Sequence, residues 1–271
     1  YNPVACTVLE ATVDFPFRFG ESLAQRTRHW GKIWNERISK RLAPFYPVHR
    51  SGFVHAYIFA RTVPCPDTQH PTPLVPDWYL LKPKSGVQIV AQPVVDREKG
   101  TWHVRIREIG QEAGRLREPP NPNYTKGKGI SLFTRRQIPA DFIQAKAQSG
   151  EMTNVLYAVG IRTPQGLRFE APNDDDLKAL ASSKTKIEHL RSKWEKENVI
   201  PTEKVPAGDK TGDGSGEGTD LPLKRGEILW ADMFTPRQLL CFGVLVEELR
   251  GLRNEILEGE EQQLGNAIYH L

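Results

Sequence analysis

The stretch Leu229-Trp230-Ala231-Asp232-Met233-Phe234-Thr235-Pro236-Arg237-Gln238-Leu239-Leu240 constrains the fold most, because it spells a complete helix start behind an apolar lead-in. Thr235 is a favoured N-cap, Pro236 takes the first helical position where a missing N–H is harmless, and Gln238 completes a capping box by reaching back to the Thr235 amide. A helix is therefore expected from Pro236 onward. Its Leu239, Leu240, Phe242, Val244, Leu245, Val246 and Leu249 are apolar nearly all round at first and amphipathic later. The same pattern pins Arg237 in the first turn, where a cation opposes the helix dipole. Arg237 either pairs with a nearby anion or serves something other than helix stability.

Two helices are written upstream in similar terms. Asn2 and Pro3 begin one whose apolar face holds Val4, Val8, Leu9 and Ala11. Leu23, Trp30, Trp34, Ile38 and Leu42 recur at helical spacing and predict a second over residues 22–42, its tryptophans in the core. Arg26, Arg28, Lys32, Arg37 and Lys40 fill its other faces, and Pro44 and Pro47 close it. The period then changes to that of strands. Residues 53–63 are mostly apolar and predict a strand buried on both faces, followed by shorter strands over 78–82, 87–95, 101–109, 154–163 and 167–170. Asn173 caps a polar helix whose Asp174-Asp175-Asp176 complements the dipole, a better account of that triplet than metal binding. Leu177, Leu180, Ile187, Leu190 and Trp194 give it a narrow apolar stripe. Residues 206–220 carry no apolar side chain larger than alanine apart from Pro206 and predict a flexible linker. Both ends of the chain read as helix already under way, so a piece of a longer protein is expected.

A chain of 271 residues, 38% of them hydrophobic, can bury a core. It lacks an apolar run of the roughly 20 residues a membrane-spanning helix needs, and its first residues lack a signal-peptide layout, so a cytoplasmic protein with no membrane partner is expected. Cys6, Cys65 and Cys241 are odd in number and far apart, which argues for reduced thiols. The net charge of +4 permits an anionic partner without requiring one. Its distribution says more. Eight basic residues against three acidic lie between Arg105 and Arg136, around a Pro- and Gly-rich stretch that predicts an exposed loop between strands. Arg115, Arg117, Lys126 and Lys128 are the candidate DNA-phosphate contacts there, with Arg237 a separate basic candidate; the plain alternative is a solvated loop.

Cys65-Pro66-Asp67-Thr68-Gln69-His70 places two zinc-ligand types, Cys65 and His70, directly after a strand, as in the first knuckle of a zinc ribbon. A structural zinc needs four ligands. Where a second knuckle would fall the sequence reads Ser131-Leu132-Phe133-Thr134, with C-x-x-C spacing but hydroxyls in place of thiolates, so no bound metal is expected. There is no P-loop, no G-x-S-x-G, no H-E-x-x-H and no glycine-rich turn between a strand and a helix. Asn121-Pro122-Asn123-Tyr124 imitates the Asn-Pro-Pro-Tyr signature of amino methyltransferases, but it lacks the second proline and sits in the basic loop.

The order of these segments resembles the large adenine-specific DNA methylases that carry a zinc-ribbon insertion, a family often found in prokaryotic anti-phage gene islands. Tyr1-Asn2-Pro3-Val4-Ala5 is similar to the tract after the acidic residue that binds the cofactor ribose, and Phe59-Ala60-Arg61-Thr62-Val63-Pro64-Cys65-Pro66 to the strand entering the first knuckle. Pro93-Val94-Val95-Asp96, Ile138-Pro139-Ala140-Asp141-Phe142-Ile143 and Gly150-Glu151-Met152 resemble the strands and the helix around the second knuckle. Asp232-Met233-Phe234-Thr235-Pro236-Arg237-Gln238-Leu239 is similar to the family's most recognisable block, and the likeness is collinear over nearly the whole chain.

The resemblance implies an α/β chain: a partial Rossmann-like methyltransferase core interrupted by a β-rich, zinc-ribbon-like insertion. Core is expected over 1–63 and 226–271, the insertion over 64–172, a connecting helix over 173–200 and the linker over 201–225. It implies methyl transfer from S-adenosylmethionine to adenine N6 on a flipped-out base. Three of four ribbon cysteines are replaced, by His70, Ser131 and Thr134, giving a degenerate ribbon. The glycine-rich cofactor loop is expected before Tyr1 and the catalytic Asp-Pro-Pro-Tyr after Leu271, so no catalytic or cofactor-binding residue is assigned within the chain, and S-adenosylmethionine is not expected to bind it alone. The rival reading is a non-catalytic nucleic-acid-binding or scaffold subunit that works with other subunits of a defence complex. A free-standing structural protein is a third.

Overall fold

The computed structural model describes residues 2–111, 114–206 and 220–271, so most of the expected linker lies outside the described residues. The chain begins with α1 (Pro3–Leu9), a π-helical turn (Glu10–Asp14) and α2 (Phe15–Leu42). Strands follow: β1 (Phe53–Pro64), β2 (Pro71–Leu74), β3 (Tyr79–Leu81), β4 (Gln88–Asp96) and β5 (Thr101–Ile109). Three short ones, β6 (Tyr124–Thr125), β7 (Lys128–Ile130) and β8 (Gln137–Ile138), precede α3 (Ala140–Gln148), β9 (Thr153–Thr163) and β10 (Gly166–Glu170). Helices α4 (Asp174–Lys196), α5 (Asp220–Lys224), α6 (Pro236–Gly259) and α7 (Gln262–His270) complete the order. No helix among the described residues is long and apolar enough to cross a membrane.

The chain is mixed α and β and divides into two units. One comprises residues 1–46, 182–200 and 236–271; the other, residues 47–181 and 201–235, holds every strand found among the described residues. The strand over 53–64 thus groups with the β-rich residues, not with the opening helices.

In the helical unit α2 packs along α6 and α7. Leu23, Leu252, Ile256, Ala267 and Ile268 are buried together, with Trp30, Ile33 and Trp34 against them, which places both tryptophans in the core as their spacing predicts. The helix predicted over 22–42 starts earlier, at Phe15, but it breaks at Gly20, whose φ of 53° lies outside helical geometry. Two cations of the polar faces pair across the unit, Arg37 with Glu255 of α6 through two 2.8 Å hydrogen bonds and Arg26 with Glu260, the residue after α6, which also accepts from the Trp30 indole at 2.6 Å. Gly243 lets α6 approach the fully buried Trp194 of α4, because a Cβ there would lie 2.1 Å from the indole.

Glu247 is the electrostatic centre of this unit. Burial raises its carboxyl, but hydrogen bonds from Lys193 (2.6 Å), Arg41 (2.6 Å) and the Trp194 indole (3.2 Å) outweigh that and bring it from 4.5 down to about 2. A depressed carboxyl stabilises the fold fully above its unfolded value and loses that contribution as pH falls towards the folded one. With the side chain 24% exposed and partly screened, the contribution is about 2 kcal/mol. The melting temperature is therefore expected to fall between pH 5 and pH 2.5, and Glu247→Gln to flatten that fall. Identical acid profiles for the two proteins would remove Glu247 from this role.

In the β-rich unit the strands form three sheets, β10-β9-β1-β2, β3-β4-β5 and β6-β7-β8, and every strand pair among the described residues is antiparallel. β1 is covered on both faces over its middle. Ala60, flanked by Ile58, packs with Trp78, Ala91, Val104 and Tyr157, while Tyr57 and Phe59 lie against Leu156, Val159 and Ile161. A continuous apolar strand commonly signals a parallel sheet. Here two bulges, at Val54/Ala56 and Ile58/Phe59, shift the register against β9, and packed clusters on both sides account for the apolar run instead.

Candidate functional site

Two tight turns meet in the β-rich unit, one joining β1 to β2 and the other joining β7 to β8. They repeat each other bond by bond. In the first, the Cys65 N–H donates to the His70 carbonyl (2.9 Å) and Gln69 N–H to the Cys65 carbonyl (2.8 Å); in the second, Ser131 N–H donates to Arg136 (2.9 Å) and Arg135 N–H to Ser131 (3.0 Å). The fifth residue of each turn is left-handed, Gln69 at φ 61° and Arg135 at φ 63°. The third and fourth N–H groups turn inward onto the first side chain. Those of Asp67 and Thr68 bond the Cys65 sulfur, and those of Phe133 and Thr134 bond the Ser131 hydroxyl at 3.2 Å. His70 N–H and Arg136 N–H then donate to Thr68 and Thr134 Oγ1, both at 3.4 Å.

The two turns are joined side chain to side chain. Cys65 Sγ lies 3.1 Å from Ser131 Oγ, both fully buried, and Asp67 accepts from Thr134 Oγ1 at 3.0 Å and from Arg136 at 3.3 Å. Burial pushes the Cys65 thiol up, but hydrogen bonds from Ser131, Thr68 and the two backbone amides lower it below its ordinary value. The equivalent positions are therefore Cys65, Thr68, Ser131 and Thr134. His70 does not take the place given to it from the sequence. Its ring packs on Phe133 at 5.2 Å and fills the space a Cβ on Gly100 would need. The signal in the sequence is that Cys65-x-x-Thr68 has the spacing of Ser131-x-x-Thr134.

Beside the second turn lies the basic hairpin. Thr125 pairs with Lys128 across Lys126 (φ 50°) and Gly127 (φ 80°), the two positive φ values of a type I′ turn. Tyr124, Gly129 and Ile138 face inward, while Thr125, Lys128, Ile130 and Gln137 are exposed, so Lys126 and Lys128 stand together on the surface. Arg117 is exposed too. Arg115 differs: its guanidinium bonds Glu108 at 2.7 Å and its stem lies against Gly110. Arg237 lies in the helical unit and is only 4% exposed, donating to the Phe45 carbonyl at 3.3 Å with its guanidinium 4.9 Å from the Tyr46 ring. Asn123, from the Asn-Pro-Asn-Tyr near-match, is likewise structural, accepting from Val75 N–H and donating to the Pro73 and Ile130 carbonyls.

A second polar group escaped sequence reasoning. His49, 7% exposed, places Nε2 3.0 Å from the buried Asp176 and Nδ1 3.9 Å from Glu170, at the wall of an open cleft of about 850 Å³ also lined by Arg50, Ser51 and Lys178. Asp176 is at the same time the returning arm of the α4 capping box, accepting from Asn173 N–H at 3.0 Å while Asn173 Oδ1 accepts from Asp176 N–H at 2.9 Å. The arrangement ties the 47–52 loop to the start of α4. Capping explains Asp176 as predicted; its histidine partner, 127 residues away, left no local trace. Among the described residues no group of three His, Cys, Asp or Glu is placed to hold a metal ion.

No family model, curated protein or solved structure matches this chain.

Proposed function

We propose that this chain is part of an S-adenosylmethionine-dependent DNA methyltransferase acting on adenine N6, with its β-rich unit contributing contacts to the DNA backbone. The paired turns carry this reading. They fall in the order that the resemblance assigns to the two knuckles of a zinc ribbon, and the exposed Lys126 and Lys128 lie in the hairpin that leads into the second of them. In this reading the helices of residues 1–46 and 236–271 belong to a Rossmann-like methyltransferase core whose cofactor loop and Asp-Pro-Pro-Tyr segment come from sequence outside 1–271. The β-rich unit is then an insertion that meets phosphates, which give affinity without sequence information.

The test uses the complete reading frame that encodes this chain, labelled S-adenosylmethionine and adenine-containing duplexes. Transfer of label to adenine N6 is expected, whereas calorimetry of residues 1–271 alone is expected to register no S-adenosylmethionine binding, since no helix N-terminus behind a glycine-rich turn is present in its sequence to meet the cofactor. Duplex binding by the complete protein without methyl transfer selects the rival, a nucleic-acid-binding subunit of a defence complex. Saturable micromolar cofactor binding by residues 1–271 would contradict the placement of the cofactor loop.

A further inference from the structure

The two turns match in more than spacing. Each directs two backbone N–H groups at its first side chain and one at its fourth, an arrangement that suits a thiolate, which carries charge and accepts several hydrogen bonds at once. A lone serine hydroxyl gains less from the same two N–H groups. The Ser131 turn thus presents to a hydroxyl the same two N–H groups that the Cys65 turn presents to a thiol. The two turns meet at their first positions, Cys65 against Ser131 at 3.1 Å, and each offers a hydroxyl at its fourth, Thr68 and Thr134.

The donors present do not fit an ion there. One thiol and three neutral hydroxyls are a poor set for a tetrahedral zinc, whose structural sites are built from thiolate and imidazole. Sulfurs bound tetrahedrally at about 2.3 Å from zinc stand about 3.8 Å apart, whereas Cys65 Sγ and Ser131 Oγ have closed to 3.1 Å and bond each other directly. Thr134 is turned to Asp67, and Arg136 reaches the same carboxylate, so a second bond set crosses between the turns.

We propose that the Cys65–Thr68 and Ser131–Thr134 turns are a tetrahedral metal-site scaffold closed by hydrogen bonds in place of an ion, and that thiols at Thr68, Ser131 and Thr134 suffice to make it bind zinc. The inference rests on the bonding pattern of the turns and not on the methyltransferase reading. Its physical content is that the Cys65–Ser131 bond and the Asp67 bonds do the joining that an ion would do. The separation of the two ligand atoms at the first pair need grow by only about 0.7 Å to match two zinc-bound sulfurs.

The experiment compares the wild-type chain with the triple variant Thr68→Cys, Ser131→Cys, Thr134→Cys, both purified under reducing conditions from zinc-supplemented medium. The variant is expected to carry about one zinc per chain, and its melting temperature to drop on chelation; the wild type should carry none in stoichiometric amount and melt identically with and without chelator. A wild-type chain holding about one zinc, lost together with the fold on chelation, would overturn the hydrogen-bonded closure. A triple variant with native circular dichroism and no zinc would overturn the scaffold. Should the triple variant not fold, the double variant Thr68→Cys, Ser131→Cys, which keeps Thr134 on Asp67, is titrated with cobalt(II). Tetrahedral d–d absorption saturating at about one equivalent supports the proposal, and its absence in the folded double variant rejects it.

Discussion

Replacing Asp176 with alanine is expected to cost the β-rich unit about 3–5 kcal/mol, the range for breaking a buried ionic or strongly polar pair by removing one partner. Asp176 is 0% exposed and serves two elements at once. Its Oδ2 satisfies the Asn173 amide at the start of α4, and its Oδ1 holds His49 Nε2 at 3.0 Å. Loss of the cap alone is worth about 0.5–2 kcal/mol. The remainder comes from His49, 7% exposed, whose Nε2 loses its Asp176 partner while Glu170 on the other side stands 3.9 Å from Nδ1, beyond hydrogen-bond distance. Asp176→Asn should recover much of the loss, because an amide oxygen still accepts from either donor. Chemical unfolding of the purified variants checks this, with His49→Ala expected to approach the alanine variant at 176 and the double variant to lose much less than the sum. A cost below about 1 kcal/mol for Asp176→Ala would mean that the pair is not what joins the loop to the helix.

The contrast between this pair and the elements around it explains what the sequence could reveal. Asn173 is readable as a cap because its partner is three residues away, and β5 is legible at Thr101–Ile109 because β-branched and aromatic residues run between two turn signals. Asn2 likewise caps α1 through its own side chain, accepting from Val4 and Ala5 N–H. Local chemistry of this kind is complete within one window of sequence. The partner of Arg37 lies more than 200 residues downstream, on α6, so the same window shows only a cation on a polar face. Sheet topology follows the same rule. The apolar run of β1 tells that both faces are covered, but not whether the neighbour is parallel or antiparallel, since clusters on both sides of an antiparallel sheet write the same run. At the paired turns the spacing was legible and the choice between Thr68 and His70 was not, because that choice is made by which N–H groups point inward.

Neutralising Arg115, Arg117, Lys126 and Lys128 together is expected to weaken binding of any DNA duplex to a similar degree, and to reduce the slope of log affinity against log salt by about 3. Each phosphate contact releases counterions and adds about 0.9 to that slope. Four free contacts would give about 3.6, but Arg115 already bonds Glu108 at 2.7 Å, so its contribution is the smallest of the four. Lys126 and Lys128, exposed on one hairpin, and the exposed Arg117 carry the rest. Between 50 and 200 mM salt the wild-type affinity should therefore fall about 40-fold further than that of the triple variant lacking only those three charges. Because the cations sit on a hairpin and a loop and not on a helix that could enter the major groove, changing the duplex sequence should leave the difference intact. Arg237→Gln supplies the control. That side chain is buried against Tyr46 and Phe45, so its replacement should lower the melting temperature of the protein and leave the salt slope of the folded fraction where it was. The binding series belongs in the complete protein, where the full interface is present. An unchanged slope after removal of Arg117, Lys126 and Lys128 would return the hairpin to solvated surface, and a loss confined to one duplex sequence would show base contacts in place of phosphate contacts.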